Sequence, residues 1–442
     1  MLSSQLQKQI LAHYKKKFAK KKFVAGESNV PVSGKVFDEG ELLNGVEAVL
    51  DGWWTEGRFA LEFEKEFSKF LGVKFVSLVN SGSSANLVAL TALTSKVFRE
   101  RALKPGDEVI SVATGFPTTI NPTLQNNCTL VLLDNDIVTK NVNPADIEKA
   151  ITPKTKVIMM AHTLGNIMPV EDIVRICEKH NLWFIEDCCD ALGGTFNGKL
   201  AGTFGHISTF SFYPAHQITL GEGGAVVTND SRINKAIRQF RDWGRDCWCD
   251  TGKDNTCGMR FKWKLGELPY GYDHKYTYSQ IGYNLKLTDM QAAIGLAQLK
   301  KLPKFVRARR ANFTQLLKSL KTLKYAEDFF IFPGSLPGAN PSWFGFPIVV
   351  KNGAPFTKVE LVNYLDEHHI ATRAIFAGNL TRHPAYIPMR ESGGIRVIGD
   401  LKNSDKLMND AFWIGVYPGL TKPMLQYIIK TIESFIRLHG ND

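Results

Sequence analysis

Four segments of this 442-residue chain gather side chains able to do chemistry. Ile185-Glu-Asp187-Cys-Cys-Asp190 sets two carboxylates beside two thiols, Cys188 and Cys189. Thr209-Phe-Ser-Phe-Tyr-Pro-Ala-His216 leads into Gln-Ile-Thr-Leu-Gly-Glu-Gly-Gly224, with Tyr213 three residues before the histidine. Imidazole titrates near neutrality and moves protons well, but it cannot form the Schiff base that an amine would. A lone histidine is otherwise most often structural. Asn80-Ser-Gly-Ser-Ser-Ala-Asn86 is built of small residues that let a backbone approach an anion. Amides opening a helix bind phosphate, although the same turn also serves as a plain helix cap. Finally, Cys247-Trp-Cys249 and Cys257 place three thiols in a short span. Their spacing matches neither zinc-ribbon nor ferredoxin patterns. A closed four-thiolate site needs one more ligand, and Cys189, beside Asp187, is the best-motivated candidate. Zinc would make such a site structural, a 2Fe–2S centre would make it an electron conduit, and free thiols are the remaining reading. Cys128 and Cys177 read as buried apolar fillers.

These segments need a scaffold, and the pattern between residues 60 and 230 supplies one. Apolar runs at Phe75–Val79, Glu108–Val112, Thr129–Leu133, Lys156–Ala161, Leu182–Ile185 and Gly224–Thr228 alternate with helical stretches. Such alternation implies crossovers and a mostly parallel sheet with helices on both faces. Functional loops then lie at strand C-terminal ends. Residues 1–35 read as a basic helix or arm, 36–300 as a large α/β domain, and 301–442 as a smaller α+β domain. Residues 240–280 break the periodicity and form a Cys-, Trp- and Tyr-rich insertion. Helix resumes near Leu287.

Hydrophobic content of 44% with 22% charged residues suits a globular enzyme with a sizeable core. No apolar run is long enough to span a bilayer, and the start lacks a secretory pattern, so a cytoplasmic location is expected. The net charge of +11 is concentrated in Tyr14-Lys-Lys-Lys-Phe-Ala-Lys-Lys-Lys-Phe23. A solvated helix face explains that stretch; nucleic acid, a membrane surface, an acidic partner or an anionic nucleotide substrate are the alternatives. Neither nucleic acid nor membrane is expected as a partner.

The segments Ser81-Gly-Ser-Ser-Ala, Glu186-Asp187 and Ser211-Phe…His216…Gly-Glu-Gly-Gly resemble the pyridoxal-phosphate sugar aminotransferases of fold type I. In those enzymes a lysine stands where this chain has His216. The resemblance implies that Gly82, Ser83, Ser84 and Ser211 hold the cofactor phosphate and that Asp187 faces the pyridine nitrogen. It further implies that Phe116 stacks on the ring and that Asn284 reaches the phosphate of a neighbouring subunit, making a homodimer with shared active sites. The family continues its Glu-Asp with Ala-Ala-Gln, whereas this chain has Cys-Cys-Asp190, a second carboxylate near the ring.

Histidine for lysine together with the inserted Cys247, Cys249 and Cys257 resembles the CDP-4-keto-6-deoxyglucose 3-dehydrases of 3,6-dideoxyhexose biosynthesis, from about residue 35 to the C-terminus. That resemblance implies pyridoxamine 5'-phosphate held non-covalently, proton abstraction by His216 with Tyr213 and Asp190 nearby, and loss of hydroxide from sugar carbon 3. It implies single electrons arriving through a 2Fe–2S cluster on Cys189, Cys247, Cys249 and Cys257 from an NADH-dependent flavin/iron–sulfur reductase. The end product would serve lipopolysaccharide O-antigen. A cluster-free 3-dehydrase, a dTDP-sugar 3-dehydrase and a non-enzymatic homologue are the rivals. Arg373 and the Leu380–His383 stretch are expected as substrate contacts or as plain surface salt bridges.

Overall fold

The computed structural model describes residues 2–19, 22–249 and 251–440. Its centre is an eight-stranded sheet in the order Phe75–Val79, Gly224–Thr228, Ile207–Ser211, Trp183–Asp187, Thr155–Ala161, Glu108–Val112, Thr129–Leu133, Ile395–Val397. Pairings from Ile207–Ser211 through Ile395–Val397 are parallel, and the two that involve Gly224–Thr228 are antiparallel. Glu108–Val112, Trp183–Asp187, Ile207–Ser211 and Gly224–Thr228 are buried at every residue, as strands covered on both faces must be. The α/β class and mostly parallel mixed sheet expected from the sequence are present. Ile207–Ser211 is a strand that the alternation of apolar runs did not expose, and it carries the histidine segment into the sheet.

The helices cover the sheet by simple rules. Arg58–Leu71 buries Phe59, Phe63, Phe67 and Leu71, a four-residue spacing that makes one apolar stripe. It stops at Gly72, whose φ of 72° suits glycine. Its N-terminus has no cap of its own; the Asp289 carboxylate accepts from the backbone N–H of Gly57, Phe59 and Ala60 instead. Asp289 opens the long helix Asp289–Lys321, so one residue ties the start of two helices together.

The second core packs around an antiparallel sheet of Phe330–Ile331, Gly345–Val350, Ala411–Gly415 and Arg373–Ala374, under the helices Lys358–Glu367 and Lys422–His439. The boundary expected at residue 300 falls inside Asp289–Lys321, which runs through both cores without a break. Ile395–Val397, expected in the small domain, extends the large sheet beside Thr129–Leu133. Val30, from the expected basic arm, packs in the second core and pairs with Ile370. A helix at Ser4–Lys17 ends in Lys15, Lys16 and Lys17; Lys20 and Lys21 of the basic run lie outside the described residues. No helix among the described residues is long and apolar enough to cross a membrane.

The insertion follows the helix Ser231–Arg241 and has little regular structure beyond a short turn of helix at His274–Tyr276. It is closed at its base by bridges between Asp242 and Asn284 and between Arg245 and Tyr278. Gly244 and Gly282 touch there, and a Cβ on either would collide with the other segment's backbone. Thr251 donates to Glu56 and Gln280 to Ser95, fixing the insertion to the large domain. Residue Asp250 lies outside the described residues.

Candidate active site

The site forms where the parallel strands end. Asp187 is the last residue of its strand and is 2% exposed. Its Oδ2 accepts from Asn86 Nδ2 at 2.8 Å and from the Thr119 hydroxyl at 2.7 Å, and its Oδ1 accepts from the Cys189 N–H at 3.0 Å. Asn86 is itself fixed by the Thr209 hydroxyl at 2.6 Å. All three donors are neutral, and no cation pairs with Asp187 among the described residues. A buried carboxylate so oriented fits a cationic partner such as a protonated ring nitrogen. Asn86 and Thr119 were not singled out from the sequence. Both lie close along the chain to residues that were, but only the fold shows that they converge on one carboxylate.

The anion cradle sits beside it. Ser81 caps the helix Gly82–Ala92, accepting from the Ser84 N–H, while Ser83 donates to Thr118 at 3.2 Å. Ser211, at the end of its strand, lies against Gly82: a Cβ there would collide with Ser211 Cβ and lie 2.8 Å from its Oγ. Gly224 lies as close to the Ser81 carbonyl. These contacts bring Ser81, Ser83, Ser84 and Ser211 to one helix N-terminus, where amides and hydroxyls suit a phosphate group. Phe116, 49% exposed, stands at the head of the helix Pro117–Gln125 with a flat face free to cover a ring. Its edge-on neighbour is Phe376, 6.2 Å between centroids, and Phe376 holds a φ of 47°, costly for a bulky residue.

His216 follows a tight turn in which its N–H donates to the Tyr213 carbonyl at 3.0 Å. Its Nδ1 lies 3.3 Å from Asp190 Oδ1, near enough to share a proton though off the line of a well-directed bond. Asp190 is buried, and that burial pushes its carboxyl up, opposed by the imidazole and by the Arg309 guanidinium. The His216 ring also packs on Phe344, centroids 5.1 Å apart. Tyr213 contributes its carbonyl to the turn, and its side chain is 51% exposed. His216, Asp190, Asp187, Cys189, Ser211 and the cradle are thus brought into one region of the sheet's edge. Asn284 is not part of it in this chain; it is exposed and accepts from Lys286 at 3.1 Å. Arg373 is exposed and Arg382 is paired with Asp405, so neither is held toward the site.

The cysteines divide. On the insertion, the Cys249 N–H donates to Cys247 Sγ at 3.5 Å, and Cys249 Sγ accepts from the Thr256 hydroxyl at 3.0 Å. Burial pushes the Cys249 thiol up, but hydrogen bonds from Thr256, Cys247 and Cys257 together hold it below its ordinary value. Cys257 Sγ lies 3.7 Å from His274 Nε2. Cys189 belongs instead to the Asp187 loop, where burial and Asp187 push its thiol well up. Among the described residues, the group near enough for a single ion is His162, Glu186 and Cys188. There His162 bonds Glu186 at 2.9 Å and accepts from Met168, while Glu186 accepts from three further N–H groups, so the ligand atoms are already used. Of the four sulfurs expected to share a cluster, Cys189 thus lies on the Asp187 loop and the other three on the insertion.

The 54% identity to "Lipopolysaccharide biosynthesis protein RfbH" of Salmonella typhimurium covers 98% of this chain and 97% of that protein. A "dTDP-4-dehydro-2,6-dideoxy-D-glucose 3-dehydratase" of Saccharopolyspora spinosa is 48% identical over 94% of this chain and 88% of its own. Among solved structures, "E coli GDP-4-keto-6-deoxy-D-mannose-3-dehydratase with bound hydrated PLP" superposes with a TM-score of 0.80 at 28% identity, over 91% of this chain and 99% of that one. The cradle, the unpaired Asp187 carboxylate and the sheet topology fit pyridoxal or pyridoxamine phosphate, and the family model matches residues 37–433. The chain belongs to the DegT/DnrJ/EryC1/StrS aminotransferase family, a pyridoxal-phosphate fold of type I.

Proposed function

We propose that this chain removes the carbon-3 hydroxyl of a nucleotide-linked 4-keto-6-deoxyhexose, using pyridoxamine phosphate, in the making of 3,6-dideoxyhexoses for lipopolysaccharide. The observation that carries the reading is an imidazole, backed by a buried carboxylate, where transamination needs an amine: His216 Nδ1 lies 3.3 Å from Asp190. The dehydratase names of the Saccharopolyspora relative and of the E. coli structure support it.

When bound, the cofactor supplies a conjugated ring that absorbs negative charge. This chain's residues do the rest. Asp187 favours a protonated ring nitrogen. Ser81, Ser83, Ser84, Ser211 and the amides opening the helix at Gly82 hold the phosphate. Phe116 covers the ring. His216 accepts and returns a proton at the amine-bearing carbon, and Asp190 receives the Nδ1 proton and sets which nitrogen is free. Because imidazole cannot form a Schiff base, His216 would leave the cofactor held by non-covalent contacts alone.

Cytidine is the proposed nucleotide. A 2Fe–2S centre held by Cys247, Cys249 and Cys257, with Cys189 as the fourth ligand, would supply single electrons from a separate NADH-dependent reductase. The placing of three thiols on one insertion, with the Cys249 N–H on Cys247 Sγ, supports that part. Homodimers with Asn284 serving the neighbouring subunit are also part of the proposal, supported by the exposure of Asn284 and of Ile281 beside it. The dTDP name of a 48% identical relative favours thymidine as the second reading. The deciding assay offers CDP- and dTDP-4-keto-6-deoxyglucose to the pyridoxamine-phosphate-loaded protein and follows loss of the carbon-3 oxygen by mass spectrometry. Preference for the CDP sugar is expected. Preference for the dTDP sugar overturns the nucleotide assignment, and formation of an amino sugar overturns the reaction class.

A further inference from the structure

We infer that Arg309 is a positioning residue for His216: its guanidinium clamps the histidine turn to the Phe344 segment. Arg309 projects from the long helix Asp289–Lys321 and is 0% exposed. Nη2 donates to the carbonyls of His216 at 2.9 Å and Ala215 at 3.1 Å. Nη1 donates to those of Trp343 and Phe344, both at 3.2 Å. A planar fork with fixed donors is the one side chain that bridges two pairs of carbonyls this way; an ammonium offers only a point charge. The two segments so joined are the ones whose rings pack against each other, His216 on Phe344.

A buried cation bonded only to carbonyls is expensive unless a counter-charge lies near. The charged group that favours its ionised state is Asp190. Burial lowers the Arg309 guanidinium to about 10, and Asp190 works against that fall. The reverse also holds, since Arg309 is among the groups that draw the Asp190 carboxyl down against its burial. The groups facing Asp190 are Asp187 and Cys189 from its own loop, His216 from the turn, and Arg309 from the long helix. Of these, His216 and Arg309 favour the ionised carboxylate. Arg309 thus holds the main chain that carries the imidazole.

The neighbouring Arg310 is a matched control. It too bonds carbonyls, those of Pro341, Asn340 and Gly193, but none on the histidine turn. Two measurements separate positioning from bulk stability. The first is independent of the dehydratase reading: in a His216→Lys background, covalent capture of pyridoxal phosphate is timed by its visible absorbance. Adding Arg309→Gln should slow capture about tenfold or more, and adding Arg310→Gln should leave it within about twofold. Equal slowing by both overturns the proposal. The second rests on the proposed reaction and follows kcat and KM. Arg309→Lys keeps the charge but loses the planar fork, so kcat should fall about tenfold while KM stays within about twofold. Full kcat in Arg309→Lys overturns the proposal. If Arg309→Gln fails to fold, capture and kcat in Arg309→Lys decide alone. If the wild-type chain dehydrates no sugar, the proposed function falls while the capture assay still tests Arg309.

Discussion

Replacing Asp187 by asparagine removes one charge and almost no volume, and the hydrogen bonds around the carboxylate set the cost. Oδ2 receives two donors, Asn86 Nδ2 and the Thr119 hydroxyl, and Oδ1 receives the Cys189 N–H. An amide offers one oxygen. If that oxygen stays toward Asn86 and Thr119, its NH2 faces the Cys189 N–H, donor against donor. The opposite flip leaves Asn86 facing an NH2, and Asn86 cannot turn to accept because its own Oδ1 is used by Thr209. One buried hydrogen bond is therefore lost in either orientation, about 1–3 kcal/mol. Removing the desolvation cost of a buried carboxylate that no protein cation neutralises offsets part of this. The free protein should consequently melt within a few degrees of wild type. The cofactor complex should suffer far more, because a buried ion pair stripped of one partner loses about 3–5 kcal/mol. At 1.4 kcal/mol per tenfold, pyridoxamine phosphate should bind on the order of 10²–10³ times more weakly. Fluorescence titration with the cofactor beside a melting curve of the free protein measures both quantities. Cofactor affinity within about threefold of wild type would refute the assignment of Asp187 to the ring nitrogen. A large fall in melting temperature with unchanged affinity would make it a purely structural residue.

The same contacts fix the outcome of other substitutions. His216→Lys should capture pyridoxal phosphate covalently and depress dehydration; no new visible absorbance and undiminished turnover would sink the proposed role of His216. Gly82→Ala drives a methyl group into Ser211, with overpacking worth about 1–3 kcal/mol, so cofactor affinity should drop roughly 10–100-fold, and unchanged affinity would place the phosphate elsewhere. Burial raises Glu64 from an ordinary 4.5 to about 7, opposed by Arg241. Between those pH values the folded chain holds a proton that the unfolded chain has released, so stability should fall as pH rises through this window and level off above it. Glu64→Gln should flatten that slope in melting curves, and a slope identical to wild type would show that Glu64 does not set it. Cys249→Ser should remove iron from the purified protein while leaving cofactor binding largely intact; full iron content after the change would refute the thiol set.

Much of the scaffold could be read directly. Phe75–Val79, Glu108–Val112, Thr129–Leu133 and Gly224–Thr228 appear as strands at the bounds their apolar runs suggest, because strands buried on both faces must be apolar throughout. Ile207–Ser211 was hidden because Ser208, Thr209 and Ser211 interrupt the apolar run, although all are buried. A strand edge that builds a site spends its positions on hydroxyls. The boundary drawn at residue 300 falls within a helix for another reason: local sequence carries no signal that a helix passing residue 300 serves two cores at once.

Within the site, the sequence by itself determined the chemistry on offer: an imidazole in place of an amine, carboxylates at Asp187 and Asp190, small residues for an anion, thiols on an insertion. Residue type fixes charge, proton affinity and the ability to form a covalent bond, so those properties needed no coordinates. Tertiary structure decided who meets whom. It joined Asn86 and Thr119 at Asp187, set Asp190 against His216, and kept Cys189 on the Asp187 loop. It also brought Arg309, 93 residues beyond His216, to the carbonyl of the histidine turn. Hydrogen bonds and ion pairs act over a few ångströms whatever the separation along the chain, and that distance is set only when the sheet and the long helix close on each other.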